Sequence, residues 1–461
     1  MSETRSIEEN ATRRRPWWLV CVGLTAVLLH GASSLTFDHE QTSNDEKEYV
    51  ALAKSLADDG RFVLPTGDAA TRMPLYPALL SVVYGSQDAK IWLSAVDILQ
   101  AMMGVLTAIG LACIAARLAD IRAGVVAGLT AAFYAPFIYL ESQLLTETLA
   151  LLLTTLAIWL YVAHCLSPVE RIEQRLAPWA VSALLGLAIL TRANAALIVI
   201  PFALHAFVRA PSGSRRGVRL IAIVLPATLI AGGWMARNQV VVGKFTLSTI
   251  GGLNFYLGNN PNYRDDPGLS GAAYQRFNEL RAGGLSEREA DARLYAEGMA
   301  FVKSRPGDTL ANALRKIRVW LTPTTRSLGP SLLLLVSFVI ILSMFGSATR
   351  VSAFRRLRIP LAIVWLGLAV WYGVWAYCEP VAPFVSARYL LPLGLPAIFL
   401  FRPTMRVRGL FLGILASQVF VAVAYIPISR LRWVMDGLLI VALAVSVSNV
   451  CLWIGGRRAA D

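Results

Sequence analysis

Apolar runs recur along this chain at lengths suited to crossing a bilayer. They cover roughly residues 17–35, 91–116, 123–140, 143–165, 179–190, 195–208, 219–236, 329–346, 360–377, 389–401, 409–426 and 433–454. A helix of about 20 apolar residues spans the hydrocarbon layer. The expected fold class is therefore an all-α polytopic membrane protein with about 12 transmembrane helices. The fifth, sixth and tenth runs are short, which predicts broken or re-entrant helices beside a cavity. Composition agrees, with 56% hydrophobic and 16% charged residues, against about a quarter charged in soluble domains.

Charge orients these spans. The formal net charge is +14. In a soluble chain that excess points to nucleic acid. Here it falls in short loops, which assigns it to topology and anionic lipid head groups and leaves no nucleic-acid partner expected. With the N-terminus in the cytoplasm, every inner loop is basic: Arg117 and Arg122; Arg171 and Arg175; Arg209, Arg215, Arg216 and Arg219; Arg350, Arg355, Arg356 and Arg358; Arg402, Arg406 and Arg408; then Arg457 and Arg458. The later short outer loops carry only Arg192, Arg388 and the Arg430/Arg432 pair. Both termini are thus expected in the cytoplasm. Arg13-Arg14-Arg15 leads into an apolar run that is long for a signal peptide, so it reads as a retained first helix. Cys21, Cys113, Cys165, Cys378 and Cys451 form no external pair and no zinc pattern.

Two outer segments are long, 36–90 and 237–328. Ser43 and Glu46 have capping-box spacing, followed by Tyr49, Leu52, Ala53 and Leu56 on one face and a stop at Gly60. Ser286 and Glu289 repeat that spacing, and Pro306 opens a helix with Leu310, Leu314, Ile317 and Trp320 on one side. These read as extracytoplasmic amphipathic helices lying on the membrane face.

Charges at a membrane edge are costly, so they are functional candidates. The outer edge gathers Asp45, Glu46, Arg72, Glu141, Glu147, Arg192, Glu379 and Arg388. Glu147 stands out, because it sits in Leu144-Leu145-Thr146-Glu147-Thr148-Leu149 and needs a cation, a metal or a hydrogen-bonded partner. Structural readings stand beside the functional ones. Asp45 and Glu46 suit a helix's first turn, Arg72 and Arg388 can snorkel to head groups, and Glu147 can form a purely structural pair with a neighbouring arginine.

Asp45-Glu46 with Tyr49, followed by Arg72-Met73-Pro74-Leu75-Tyr76-Pro77, resembles the first outer loop of the GT-C membrane glycosyltransferases. The closer likeness is to the protein O-mannosyltransferase and aminoarabinose-transferase group (glycosyltransferase families 39 and 83). Leu145-Thr146-Glu147-Thr148-Leu149, Leu190-Thr191-Arg192-Ala193-Asn194, Trp234-Met235-Ala236-Arg237-Asn238, Gly251-Gly252-Leu253-Asn254, Gly258-Asn259-Asn260-Pro261 and Ala387-Arg388-Tyr389-Leu390-Leu391-Pro392 follow in the family's order. The resemblance implies one GT-C-like membrane domain over 1–461, with the catalytic acid in the 36–90 loop. It implies transfer of a hexosyl or pentosyl group from a polyprenyl-phosphate sugar to an extracytoplasmic lipid, glycan or protein, with inversion. Asp45 matches the family's key acid, as base or orienting group. Glu147 matches a second acid that is often aspartate in relatives. Together they are the candidate ligands of a divalent metal that some members use. Arg72, Arg192 and Arg388 match positions near the donor phosphate. Glu46, Tyr49, Asn254 and Asn259 are secondary candidates. A bacterial inner membrane is the implied location.

Elementary chemistry agrees with these assignments. Preorganised arginines stabilise a leaving phosphate where water is excluded, and a carboxylate beside the acceptor hydroxyl takes its proton. No Gly-rich loop for a soluble nucleotide sugar follows a buried strand. The rival reading is a transporter or a flippase for lipid-linked sugars, without transferase activity. Such proteins favour inverted repeats and midplane sites, whereas here no repeat is visible and the charged candidates gather at one edge.

Overall fold

Helix α1 (Trp17–Ser34), α4 (Ala89–Leu118), α5 (Ile121–Ala132) and α6 (Ala135–Glu141) form one side of the membrane frame. Between them run α2 (Asn44–Asp59) and α3 (Leu75–Val83). Then come α7 (Glu147–Leu160), ending in a π-helical turn (Tyr161–Cys165), α8 (Ile172–Thr191), α9 (Ala196–Arg209) and α10 (Ser214–Val242). The second long segment folds as α11 (Gly251–Gly258), α12 (Gly271–Ala282), α13 (Glu287–Ser304) and α14 (Pro306–Leu321). α15 (Arg408–Ala424) and α16 (Trp433–Ile454) return to the frame. This computed structural model describes residues 17–34, 43–84, 89–166, 172–209, 214–264, 271–321, 394, 397–398, 407–426 and 432–454. No β-strand occurs among them. The expected spans at 329–346 and 360–377, nearly all of that at 389–401, and Arg388 and Glu379 lie outside the described residues.

Four described helices are long and apolar enough to cross a membrane: Trp92–Leu118, Glu147–Cys165, Ile172–Thr191 and Arg216–Val242. Shorter apolar helices cover Trp17–Ala32, Ile121–Ala132, Ala193–Arg209, Arg408–Ala424 and Trp433–Asn449. Three expectations change in detail. The run at 123–140 is not one helix, because the chain breaks at Phe133-Tyr134 and restarts with Pro136 in its first turn. The run from 143 does not turn helical until Glu147. The fifth run, expected to be short, lies in a 20-residue helix. Its first turns carry Glu173 and Arg175, which a helix tolerates where it leaves the bilayer.

α4 is the centre of the frame, packed against α1, α5, α7 and α16. Between helices in lipid, association depends on close van der Waals fit, so small residues gather at the seam. Gly124 and Gly128 of α5 supply that fit. A Cβ at Gly124 would stand 2.8 Å from the Ala116 Cβ, and one at Gly128 would stand 2.9 Å from the Ala112 Cβ and 2.5 Å from Val22 Cγ1. The outward faces, such as Leu24 and Leu28 of α1 or Leu225 and Leu229 of α10, stay exposed as a lipid-facing surface would.

The outer helices form as their caps require. Ser43 Oγ accepts the Glu46 N–H at 3.2 Å while Glu46 Oε2 accepts the Ser43 N–H at 2.9 Å. Gly60 ends α2 in the left-handed region at φ 65°, where only glycine sits without strain. Ser286 and Glu289 cap α13 in the same reciprocal way. In α14, Leu310 and Leu314 are exposed, but Trp320, expected on their side, is buried. Arg432 stacks over its ring.

Candidate active site

α2 and the extended chain before α3 bring the first pair together. Arg72 Nη2 donates to Asp45 Oδ1 at 2.6 Å, and its Nε donates to Glu48 Oε2 at 2.6 Å. The guanidinium lies 5.4 Å from the centre of the Tyr49 ring. Burial works against the Arg72 charge, but Tyr49, Asp45 and Glu48 outweigh it and raise its hold on the proton above an ordinary arginine's. A fixed cation therefore sits between α2 and the chain before α3, flanked by two acids.

The second pair comes from α7 and the end of α8. Arg192 Nη1 lies 2.8 Å from Glu147 Oε1 and donates to Thr146 Oγ1 at 2.7 Å. Glu147 is only 1% exposed, while Asp45 keeps 21% of its side-chain surface. Tyr49 joins the two halves. Burial raises its phenol above the usual range, and Arg72, Asp45, Arg192 and Glu147 all act on it electrostatically. Four of the expected site residues thus form two acid–arginine pairs, one of them against Tyr49.

Other candidates take different places. Glu46 is a brace: one oxygen caps α2, and Oε1 accepts the Leu144 N–H at 3.1 Å. Glu141 pairs with His30 at 2.6 Å, both nearly buried. Asn259 belongs to another junction, donating to Phe255 O and Ala424 O and accepting from Lys316 Nζ at 3.3 Å. Burial lowers Lys316 to about 8. Asn254 lies in α11 on that same segment. Arg388 lies outside the described residues.

The donor set does not match a divalent metal as it stands. Asp45 and Glu147 each face an arginine at 2.6 and 2.8 Å, and a metal would have to displace those cations. Among the described residues no group of three or more His, Cys, Asp or Glu side chains could hold an ion. A magnesium-like ion, by contrast, uses one or two carboxylates with water and substrate oxygens.

Sequence reasoning missed Glu287. It sits in the first turn of α13, where an acid looks like a dipole partner. Instead its carboxylate accepts the Ala69 N–H at 2.9 Å, the Ala70 N–H at 3.2 Å and the Thr249 hydroxyl at 2.6 Å. Arg281 also reaches Asp68, and Thr249 N–H donates to Ala70 O at 2.9 Å. Thr249, Arg281 and Glu287 therefore hold the chain that leads into Arg72. Glu287→Ala leaves three donors without their acceptor, at a cost of about 3 kcal/mol. Thermal unfolding in detergent checks this, and a loss below about 0.5 kcal/mol contradicts it.

An apolar helical frame with charged pairs at one edge defines an integral membrane protein. Residues 74–234 match the family model described as dolichyl-phosphate-mannose-protein mannosyltransferase. The matched stretch includes Glu147 and Arg192 and begins two residues after Arg72. Among solved structures, the archaeal oligosaccharyltransferase AglB from Archaeoglobus fulgidus, in complex with an inhibitory peptide and a dolichol-phosphate, aligns with a TM-score of 0.49 at 13% identity. The alignment covers 98% of this chain and 52% of that one. ArnT from Cupriavidus metallidurans in the apo state aligns with a TM-score of 0.40 at 17% identity, over 95% of this chain and 79% of that one. The same protein bound to undecaprenyl phosphate aligns with a TM-score of 0.41 at 15% identity, over 94% and 79%. The chain thus spans about half the length of the oligosaccharyltransferase. No curated protein sequence matches it.

Proposed function

We propose that this chain is a membrane glycosyltransferase that moves a sugar from a polyprenyl-phosphate carrier to an extracytoplasmic acceptor, with inversion. The observation that carries the reading is the two acid–arginine pairs, Asp45–Arg72 with the guanidinium over Tyr49 and Glu147–Arg192 with its carboxylate buried. The family match over 74–234 supports it. The setting is one membrane unit of about twelve spans over 1–461, with both ends in the cytoplasm of a bacterial inner membrane. The segments 36–90 and 237–328 face outward in this layout, and the inner-loop arginines support it.

In the proposed step an acceptor oxygen attacks the anomeric carbon from the face opposite the phosphate. The bond from that carbon to the phosphate oxygen breaks, and its electron pair stays on the phosphate. Asp45 takes the acceptor proton as the new bond forms. Arg72 and Arg192 stabilise the growing negative charge, with Arg388 the third arginine offered by the family resemblance, and such stabilisation is worth most in a site closed to water. The leaving phosphate needs no general acid, so the paired carboxylates of glycoside hydrolysis are not required. Glu147 and Thr146 fix the direction of Arg192. A phosphate arriving at Arg72 draws that guanidinium toward itself and leaves Asp45 better able to accept a proton. No step is routed through a metal.

Binding of undecaprenyl phosphate to the purified protein, followed by native mass spectrometry, tests the phosphate half. Arg72→Met is expected to weaken binding by about tenfold or more, the loss of one charge-assisted contact. Equal affinity in both proteins removes Arg72 from the carrier site.

A further inference from the structure

We propose that Gln100 is a positioning residue that sets the turn delivering Thr146 and Glu147 to Arg192. This rests on the transferase reading above for its functional consequence, though not for its geometry. Gln100 lies inside the apolar α4 and is completely buried. A polar residue there must find partners. Its amide nitrogen donates to Glu141 O at 2.7 Å and to Gln143 O at 3.0 Å. Its carbonyl oxygen accepts from the Tyr76 hydroxyl at 3.1 Å. Both amide hydrogens and one acceptor site are thereby used.

The turn depends on such outside grips. α7 begins at Glu147 without a side-chain cap from Thr146. From the opposite side, Glu46 Oε1 holds the Leu144 N–H. One helical turn beyond Gln100, α4 carries Gly104. A Cβ there would fall inside the Glu141 carboxylate, so this glycine is the space that lets the turn sit against α4. Glu141 in turn is held by His30. The amide also links the two halves of the site. Tyr76, its donor, packs edge-on against Tyr49 at 5.5 Å, and Tyr49 lies beneath Arg72.

Glutamine suits this position because one amide group ties Glu141 O to Gln143 O, which otherwise holds only the Leu145 N–H. A glutamate would present a carboxylate to Glu141 O and Gln143 O. A methionine would fill the volume, take the side-chain donor from Glu141 O and leave Gln143 O with only the Leu145 N–H at 2.7 Å.

The test uses the full-length protein in lipid nanodiscs, with Gln100→Met and, as a gentler change, Tyr76→Phe. Tyr76→Phe removes only the hydroxyl that holds Gln100. Hydrogen exchange without donor is read first. The amides of 142–147 in Gln100→Met are expected to exchange about tenfold faster, while those inside α7 are unchanged. Tyr76→Phe is expected to shift them in the same direction by less. Transfer from a polyprenyl-phosphate sugar is read second. In Gln100→Met, kcat is expected to fall about 100-fold with donor KM little changed, as for a misplaced group. The Gln100→Met/Glu147→Gln double variant should be no slower than Glu147→Gln alone. Unchanged exchange in the turn overturns the inference, and so do losses that multiply in the double variant. If the wild type transfers nothing, the transferase reading falls, and the exchange result still decides whether Gln100 sets the turn.

Discussion

Asp45→Asn is expected to slow sugar transfer by about 10³-fold while leaving the folded protein intact. The reason is the unequal dependence of fold and chemistry on one oxygen. Asp45 is partly exposed and shares Arg72 with Glu48, so asparagine leaves that cation a carboxylate partner. Asparagine also keeps the shape of the side chain. The stability change should stay below about 1 kcal/mol, because Arg72 keeps Glu48 and the asparagine oxygen can still accept its N–H. What asparagine cannot do is accept the acceptor's proton as the new glycosidic bond forms. Initial rates at saturating donor, with membrane insertion and melting measured alongside, separate the two effects. A variant that melts normally yet transfers at the wild-type rate takes the base assignment away from Asp45.

The second large effect is on stability. Arg192→Met takes the guanidinium from Glu147, a carboxylate only 1% exposed. Breaking a buried ion pair from one side costs about 3–5 kcal/mol, because the remaining charge stays in a poor solvent for it. Replacing both partners removes that charge. The Glu147→Gln/Arg192→Met protein should therefore melt well above Arg192→Met alone, although neither should transfer sugar. Thermal unfolding in one detergent, across the two singles and the double, gives the coupling energy. Additive losses would mean that the pair contributes little to the fold.

The sequence carried the frame through a physical signal that survives without neighbours. Apolar length and the two capping boxes are local properties, and α2, α4, α10 and α13 follow them. Breaks were harder to read. The run at 123–140 is continuous in hydropathy, yet the structure parts at Phe133-Tyr134, where packing decides. The late start of α7 at Glu147 depends on Gln100 and Glu46, which lie far away in the chain.

The site divides in the same way. Asp45, Arg72, Glu147 and Arg192 stood out singly because charges at a membrane edge are rare. An arginine partner was foreseen for Glu147 without its number, but the Asp45–Arg72 pair was not, since 27 residues separate them and only the fold brings them within 2.6 Å. Gln100 gave one usable signal, a polar side chain in the middle of an apolar run. Glu287 gave a misleading one, because its helix-start position looks sufficient in itself. Asn259 was drawn in by its neighbours in the motif, but the structure ties it to the end of α15 instead.

The central claim is that Asp45 and its arginine partner act on a polyprenyl-phosphate sugar. The most direct measurement follows release of polyprenyl phosphate from a panel of radiolabelled polyprenyl-phosphate sugars in membranes containing the wild type, Asp45→Asn or Arg72→Met. The account predicts release by the wild type from at least one donor, coupled one-to-one to labelled product of inverted configuration. It also predicts collapse of both signals in the two variants at equal protein levels. Equal release by all three proteins, or movement of intact donor across the bilayer without release, would contradict it.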